Sequence, residues 1–377
     1  MREGKTMVRA KKVREAVYKR LKDTIIREIK NQTLKENDPI LSERLLSEKF
    51  NISRISVRKG LKELIDEGYL YTVPGKGTFV RGLNSKVKAS REKTHNLAYI
   101  FWGGDRSLFT IPYFAHMVAG AERMSQKNNY HLLISTFNPS EHLPNSLPSI
   151  IEQGKVDGAL IEGTFIETYH QLSKILPVIL ISNFLYHNIN DVEKIDDIDY
   201  VSANNEKACL RVMEYLNSLG HRNVGFVMGS PYHSSFRERL HGFYLGLKLY
   251  KMKTRSEWII SATETGSGAF KKILKCEQRP TAIISCNDFY ALDILDYCNK
   301  EGIKIPDEFS IIGFDDIESS AWSQPALTTV RVLTDEMGEK AAIRLIEKIN
   351  DPKSTPSTTL IGADLVIRES CKAIHDQ

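Results

Sequence analysis

The chain has 377 residues, of which 41% are hydrophobic and 26% are charged. This length exceeds what one ordinary hydrophobic core accommodates, so we expect two or three domains. The composition is that of a soluble globular protein, and no apolar run approaches the roughly 18 residues needed to span a bilayer.

The net charge of +5 is distributed unevenly. Residues 1–95 contain 24 Lys and Arg against 12 Asp and Glu, whereas residues 96–377 contain 28 against 35. A small basic module joined to a large acidic one is expected where the basic module binds a polyanion such as DNA. A solvated basic tail is the alternative.

The N-terminal residues are charged and lack the apolar segment of a secretory signal, so we expect a cytoplasmic protein. All five cysteines lie in the second half of the chain, without zinc-ligand spacing or a compact disulfide framework. We therefore expect reduced thiols, no metal and no other cofactor.

Three amphipathic helices are predicted in the basic module. Apolar residues recur every four positions from Val17 to Ile29, which is one face of a helix. Ser42 can cap the second helix and Ser53 the third, which ends near Gly68. The second and third helices, joined by a short turn, form a helix-turn-helix.

The pattern after the third helix changes to that of strands. Tyr69–Val73 and Thr78–Val80 predict a β-hairpin whose tip, Gly75-Lys76-Gly77, is rich in glycine and basic. A hairpin that follows a recognition helix is a wing, which can place Lys76 on a phosphate backbone or in a minor groove.

The segment Ile40–Val80 resembles the GntR-type winged helix-turn-helix, whose pattern PSExxLxxxFxVSRxTVRxALxxLxxxGxxxxxxGxGTFV it follows without a gap. It departs from that pattern at Leu41, where proline is usual, and at Ser56, where threonine is usual. The resemblance implies that the module binds double-stranded operator DNA. The residues it implies as DNA contacts are Arg44, Ser53, Arg54, Ser56, Arg58, Gly75, Lys76 and Gly77.

Arginine suits this role because its planar fork pairs with guanine or with phosphate. Surface ion pairs are the alternative for these arginines, and Lys59 and Lys62 are equally consistent with a solvated face. We expect the DNA-binding domain to comprise residues 1–81. Residues 82–96 have no apolar periodicity and are expected to form a flexible linker.

Residues 97–377 alternate short apolar runs with helical patterns. Strands are predicted at Leu97–Trp102, His131–Thr136, Val156–Ile161, Val178–Ser182, Asn223–Met228, Thr281–Ser285 and Phe309–Phe314. Helices between them include Pro112–Asn128, Glu206–Leu219, Phe236–Lys251 and Phe289–Glu301. This alternation predicts an α/β domain with two lobes of parallel sheet and a ligand site in the cleft at the carboxyl ends of the strands.

The motifs of this part resemble the effector domain of the LacI/GalR regulators, which has the periplasmic-binding-protein type I fold. They occur in family order: VDGALIEG, LNSLGHRNVGFVMGS, FRERLHGF, RPTAIISCND, IPDEFSIIGFDDI and PALTTVRV. A GntR-type head on such a body is similar to the architecture of arabinose-responsive repressors of Gram-positive bacteria.

This resemblance implies ligand-binding residues at strand ends, namely Trp102, Asp105, Tyr113, Glu162, Asn183, Ser235, Arg239 and Asp288. The fork of Arg239 would hold hydroxyls or a carboxylate, and the carboxylate of Asp288 would accept two hydroxyl hydrogens of a sugar. Trp102, Phe109 and Tyr113 could stack on a sugar ring, with core packing as the alternative for each.

Structural ion pairing is the alternative for Arg239 and Asp288. Asp315 and Asp316 follow a buried strand and are interpreted either as loop caps or as ligand contacts.

Together the two resemblances imply a ligand-responsive transcription regulator. We expect a repressor that binds operator DNA as a homodimer and is released or retuned by a small carbohydrate-like effector, with corepression as the alternative to release. A monosaccharide is the first choice of effector and nucleobases are the alternative. Three other functions fit the sequence less well. An enzyme would show a motif such as GxSxG, HExxH or a P-loop. A solute-binding protein would lack the DNA-binding module, and an architectural DNA binder would not need the acidic domain.

Overall fold

The structure is a computed structural model that describes residues 20–29, 31, 33–66, 69–73, 76–80, 93–102, 112–138, 147–186, 197–262 and 265–374. The chain divides into two compact units, residues 1–94 and 95–377. The expected linker lies outside the described residues, except for residues 93–96.

The first unit contains three helices and a two-stranded antiparallel hairpin. Its elements are α1 (residues 20–29), α2 (Glu43–Phe50), α3 (Arg54–Asp66), β1 (Leu70–Val73) and β2 (Gly77–Val80). The periodic apolar residues of α1 are buried against the apolar faces of α2 and α3 and against the hairpin. The fold of this unit is therefore the winged helix-turn-helix that the sequence predicts.

Serine residues cap the N-termini of α2 and α3. The Ser42 hydroxyl accepts a hydrogen bond from the Leu45 amide at 3.4 Å, and the Ser53 hydroxyl accepts one from the Ser56 amide at 3.2 Å. Such caps satisfy amides that have no partner within the helix, which is why serine is favoured at these positions.

The second unit is an α/β structure with two parallel sheets. We call the part built on the six-stranded sheet the first lobe. Its strands, in the order they occupy across the sheet, are β15 (Thr358–Ile361), β9 (Tyr200–Ala203), β7 (Val178–Ile181), β5 (Gly158–Glu162), β3 (Asn96–Trp102) and β4 (His131–Phe137). Its helices are α4 (Pro112–Lys127), α5 (Ser149–Glu152), α6 (Ile166–Ser173) and α12 (Thr334–Asn350).

The second lobe is built on the four-stranded sheet. Its strands across the sheet are β11 (Ile259–Ser261), β10 (Val224–Met228), β12 (Ala282–Ser285) and β13 (Ser310–Ile312). Its helices are α7 (Asn205–Ser218), α8 (Ser234–Leu249), α9 (Gly266–Leu274), α10 (Asp288–Glu301) and α11 (Glu318–Trp322), with a 3-10 turn at Ser256–Trp258. The two-lobed α/β fold expected from the sequence is confirmed.

In the described part of the chain, three segments connect the lobes. The chain leaves the first lobe after β9, returns to it after β14 (Thr329–Val332), and leaves it again between β15 and β16 (Ala363–Val366). Strands β14 and β16 pair with each other in antiparallel fashion. A short parallel pair, β6 (Thr164–Phe165) and β8 (Phe184–Leu185), extends from the ends of β5 and β7.

Strands β3, β5, β7, β9, β10, β12 and β13 are buried along nearly their whole length, as expected for parallel sheets that helices cover on both faces, whereas the edge strands β4, β11 and β15 are only partly buried. Parallel strands bring their carboxyl ends to one edge. Residues that follow β5, β7 and β13 therefore lie where the lobes meet, which positions the candidate site. No helix in the described ranges is long and apolar enough to cross a membrane.

Candidate functional site

A buried arginine on α8 anchors the candidate site of the second unit. Arg239 is only 3% exposed. Its Nε donates to Oδ1 of Asn205 at 2.9 Å, one Nη donates to the carbonyl of Cys286, and the other Nη lies 3.2 Å from Oδ1 of Asp315. The guanidinium also lies 3.6 Å from the centre of the Phe314 ring. These contacts hold the charged group in one orientation.

Asp315, the partner of Arg239, has an unusual backbone. Its φ is 115°, and that of Asp316 is 54°, a left-handed region that non-glycine residues adopt only when the surroundings hold them there. Burial raises the pKa of Asp315 to about 7 although Arg239 opposes the shift. Oδ1 of Asp315 is buried without a hydrogen bond of good geometry, so it can accept one from a ligand.

Asp316 connects this loop to the segments between the lobes. Its carboxylate accepts hydrogen bonds from Nε of Arg331 on β14 at 2.7 Å and from Nη2 of Arg368, just after β16, at 2.6 Å. Asp316 therefore ties the loop that contains Asp315 to strand β14 and to the residue just after β16, in the segments that connect the lobes.

The first lobe contributes a second buried carboxyl group. Glu162, at the end of β5, is 4% exposed. The hydroxyl of Tyr99 donates to its Oε2 at 3.1 Å, and Nδ2 of Asn183 lies within 3.4 Å of its Oε1. Burial raises the pKa of Glu162 to about 8, so this carboxyl is mostly protonated at pH 7. Oδ1 of Asn183 is buried and has no hydrogen-bond partner.

A cavity of about 440 Å3 lies between the lobes, within the range typical of small-molecule sites. Tyr113, at the start of α4, lines it from the first lobe, and Asp315 lines it from the second. The hydroxyl of Tyr113 lies 3.2 Å from that of Ser182, which follows β7. The other lining residues are Pro112, His116, residues 316–318 and residues 331–336.

Some sequence-predicted ligand residues lie at or beside this cavity and others do not. Among the predicted ligand residues that the structure describes, Tyr113 lines the cavity, and Arg239 lies behind it in contact with the lining residue Asp315. Asn183 and Glu162 do not line it and are linked to Tyr113 through the hydroxyl of Ser182. Ser235 is 8% exposed in the first turn of α8. Asp105 and Phe109 lie outside the described residues.

Trp102 packs instead into the apolar core of the first lobe. Its ring lies 4.6 Å from that of Phe137, centre to centre. This arrangement matches the core-packing alternative that the sequence left open.

The structure does not bring the carboxylate of Asp288 to the cavity. Asp288 is fully buried, and its Oδ2 accepts hydrogen bonds from the Ile317 amide at 3.0 Å and the Ser320 hydroxyl at 2.7 Å. Its Oδ1 accepts one from the hydroxyl of Thr329. Both oxygens of Asp288 accept hydrogen bonds inside the second lobe, whereas Oδ1 of Asp315 has only its ion-pair contact with Arg239. The only sequence signal for Asp315 was its place in a pair of aspartates, Asp315 and Asp316, after the buried strand β13.

The predicted DNA contacts of the first unit lie on its surface. Ser53, Arg54 and Ser56 form the start of α3, and Arg58 lies one turn further on. Nε and Nη2 of Arg58 donate to the two carboxylate oxygens of Glu43, at 3.1 and 2.8 Å.

The remaining predicted contacts lie on α2 and in the wing. Arg44 donates to Oε1 of Glu48 at 3.1 Å. Lys76 is exposed at the tip of the hairpin, and Gly77 has a φ of 123° that favours glycine. Gly75 lies outside the described residues.

The side chains of Arg58 and Arg44 are 72% and 61% exposed. Exposed ion pairs contribute little to stability, so phosphate or a base edge can replace the glutamate in each pair. Each arginine can therefore form the ion pair seen here in the free protein and still contact DNA in a complex.

Two family models match the chain. Bacterial regulatory proteins of the gntR family match residues 17–80, and the periplasmic binding protein-like domain matches residues 213–371. The arabinose metabolism transcriptional repressor of Geobacillus stearothermophilus is 30% identical over 380 residues, which cover 95% of this chain and 98% of that protein. The HTH-type transcriptional repressor PurR of Mannheimia succiniciproducens is 29% identical over 271 residues, which cover 70% and 78%.

Solved structures show the same similarity. The putative transcriptional regulator LacI from Bacillus cereus subsp. cytotoxis NVH 391-98 superimposes with a TM-score of 0.67 at 26% identity. The alignment covers 76% of this chain and all of that one.

Proposed function

This chain belongs to the transcriptional repressors that join a GntR-type DNA-binding domain to a LacI-type effector domain, and we propose that a neutral, hydroxyl-rich effector binds between its lobes and lowers its affinity for operator DNA. The family is one of ligand-responsive regulators rather than of enzymes. We place its action in the cytoplasm, where operator DNA is accessible.

One observation carries the choice of site. Asp315 presents a buried acceptor to a cavity that both lobes line, and Arg239 lies beside it with its orientation fixed by three other groups. A ligand that bridges Tyr113 and Asp315 would hold the lobes together. Closure of this kind is a common response of two-lobed proteins to a ligand.

The charges of the site favour a neutral polar ligand. Arg239 is compensated by Asp315, and the raised pKa of Glu162 keeps that carboxyl largely uncharged near pH 7. Protonated Glu162 can donate a hydrogen bond and Asn183 Oδ1 can accept one. The cavity lining itself is acidic and disfavours anions: it includes Asp315, Asp316, Glu318, Asp335 and Glu336 beside Arg331. Groups that donate and accept hydrogen bonds next to such a lining suit the hydroxyl groups of an uncharged sugar.

We rank the candidate effectors by the name of one relative of this chain. The name of the Geobacillus relative ties that protein to arabinose metabolism, and on this ground we place pentoses first and hexoses second. Nucleobases are planar donor–acceptor molecules that suit the same polar groups, and they are the competing class.

We propose that the repressor acts as a dimer. Phe289 is 69% exposed in the first turn of α10, and Trp322 is 78% exposed at the end of α11. The two elements are adjacent, because Asp288 accepts a hydrogen bond from Ser320. We propose that these two exposed aromatic side chains, on adjacent helices, contribute to the contact with a second copy, which would place two DNA-binding units on two half-sites. Trp322→Ser should yield monomers in analytical ultracentrifugation, whereas Leu249→Ser, at an exposed leucine of α8, should not.

The experiment for the proposed function uses the full chain and a DNA duplex that this protein selects from a random-sequence library. Fluorescence anisotropy measures binding to that duplex while pentoses, hexoses and nucleobases are added one at a time. We expect one monosaccharide to weaken binding about 5- to 150-fold, which corresponds to a coupling free energy of about 1–3 kcal/mol.

Two variants locate the effector. Asp315→Asn should bind the duplex normally and require at least about tenfold more effector for release, because a charge-assisted acceptor is lost. Asp307→Asn is the control, since Asp307 is an exposed aspartate of the same lobe that pairs with Lys372. An unchanged effector response in Asp315→Asn would place the ligand elsewhere, and release by nucleobases alone would replace the sugar.

A further inference from the structure

We propose that Ile55 recognises the 5-methyl group of a thymine in the major groove of operator DNA. Ile55 is 79% exposed, which makes it the most exposed large hydrophobic side chain in the described part of the chain. It is the second residue of α3, the second helix of the helix-turn-helix.

The position of Ile55 on the helix excludes a role in the core. The buried face of α3 is formed by Val57, Leu61 and Leu64, which are at most 5% exposed. Successive residues of an α-helix are 100° apart, so Ile55 points about 200° away from Val57, to the opposite side. It therefore contributes nothing to the apolar core of the first unit.

The neighbours of Ile55 are those of a DNA-binding surface. Arg54 precedes it, and Arg58 follows three residues later on the same exposed side. An apolar side chain between two arginines gains nothing from phosphates, because it has no hydrogen-bond donor and no charge. In the first turn of a recognition helix, side chains reach base edges.

The major groove offers one apolar group to such a side chain. Guanine, cytosine and adenine present donors and acceptors there, whereas thymine presents a methyl group beside its O4 acceptor. Contact between Ile55 and that methyl removes both from water. Burial of one methyl or methylene group is worth about 0.8 kcal/mol, which corresponds to about a fourfold change in affinity.

This inference rests on the DNA binding proposed above, and its test separates the two. The full-length protein first selects duplexes from a random-sequence library. Each thymine of the selected duplex is then replaced singly by deoxyuridine, which lacks the methyl group and keeps every hydrogen-bonding group. Anisotropy gives the affinity of the wild type and of Ile55→Ala for every duplex.

We expect one thymine in each half-site at which deoxyuridine weakens the wild type about fourfold and leaves Ile55→Ala unaffected. The methyl and the side chain would then be coupled, as a double-mutant cycle requires. Ile367→Ala, which removes an exposed isoleucine of the second unit, should retain the wild-type ratio. Because Ile55 is 79% exposed and does not belong to the apolar core of the first unit, Ile55→Ala should unfold at about the wild-type temperature.

The inference is overturned if no thymine shows this coupling, or if deoxyuridine weakens the wild type and Ile55→Ala equally, while the selected duplex still binds tightly. Failure to select any duplex would overturn the proposed DNA binding, and with it this inference.

Discussion

The side chains to which we assign a function are exposed to very different degrees in the two units. In the first unit, Arg44 and Arg58 are more than half exposed and pair with glutamates on the surface. In the second, Arg239 and Glu162 are at most 4% exposed. A surface that binds a polyanion works through charges that remain in water and exchange partners easily. A site that binds a small neutral molecule works through groups that are already dehydrated and fixed.

This contrast predicts different responses to mutation, pH and salt. Loss of a buried charge should destabilise the second unit, whereas loss of an exposed charge should change DNA affinity and leave stability nearly unchanged. The four predictions below test the contrast from the largest expected effect to the smallest.

Arg239→Met should destabilise the second unit by about 3–5 kcal/mol, because it leaves the buried carboxylate of Asp315 without its cation. Chemical denaturation followed by tryptophan fluorescence would measure the loss. Arg255→Met is the control, since Arg255 is an exposed arginine of the same lobe, and it should cost at most about 1 kcal/mol. Equal losses in the two variants would contradict the contrast.

The stability of the second unit should fall as the pH rises from 6 to 8. Burial raises the pKa of Glu162 to about 8 from an ordinary value of 4.5. Between these values the folded protein holds a proton that the unfolded chain has released, so stability falls by up to about 1.4 kcal/mol per pH unit. The contribution is fully present below pH 4.5 and is lost as the pH passes through 8.

Glu162→Gln should reduce this slope by about one proton, which denaturation at several pH values would measure. The slope should not vanish, because burial also raises the pKa values of Glu238 and Asp315 to about 7. Glu318→Gln, at an exposed residue on the rim of the cavity, should keep the wild-type slope. An unchanged slope in Glu162→Gln would mean that Glu162 does not hold the proton.

Arg54→Ala should weaken binding to the selected duplex by about 1–3 kcal/mol if Arg54 contacts a base. If it contacts a phosphate instead, binding should weaken uniformly across sequences. The slope of log affinity against log salt concentration should then become shallower by about 1. Binding isotherms at several salt concentrations distinguish the two. In both cases the effector response and the denaturation midpoint should remain those of the wild type; a shifted midpoint would assign Arg54 a structural role.

Glu43→Gln should have the smallest effect, a gain in DNA affinity of up to about 1 kcal/mol. Arg58 lowers the pKa of Glu43, as expected of a carboxylate that is paired with a cation. Removing the negative charge frees Arg58 for DNA, and an exposed pair of this kind is worth about 0.2–1 kcal/mol. Weaker binding of the variant would indicate that Glu43 itself contributes to DNA recognition.

The sequence predicted the first unit well because its information is local. Helix caps, apolar periodicity and the glycine-rich hairpin tip all act within a few residues, and each corresponds to an observed element. The same reasoning placed four of the helices of the second unit, and seven of the ten strands in its two parallel sheets, to within a few residues; strands β9, β11 and β15 were not predicted. Helix α12, Thr334–Asn350, was not predicted although its apolar residues have helical spacing.

The candidate site was harder to predict, because its residues meet only through the fold. Asp288 and Asp315 both follow buried strands, and either could in principle have faced the cleft. The positions of Ser320, Thr329 and the Ile317 amide decide between them, since these donors bond Asp288 inside the lobe. The spacing of residues in the sequence does not show which of the two carboxylates is bonded inside the lobe.

The residues alone were enough to predict the family, the two-unit plan and the exposed face of the recognition helix, because helix periodicity and charge fix which residues of a short helix face outward. The tertiary structure alone decided which carboxyl groups are dehydrated and which acceptors are left unpaired between the lobes. Burial and the resulting pKa shifts depend on the packing of segments distant in the chain. Glu162 meets Tyr99 and Asn183 only in the folded first lobe, and Arg239 meets Asp315 only in the folded second lobe.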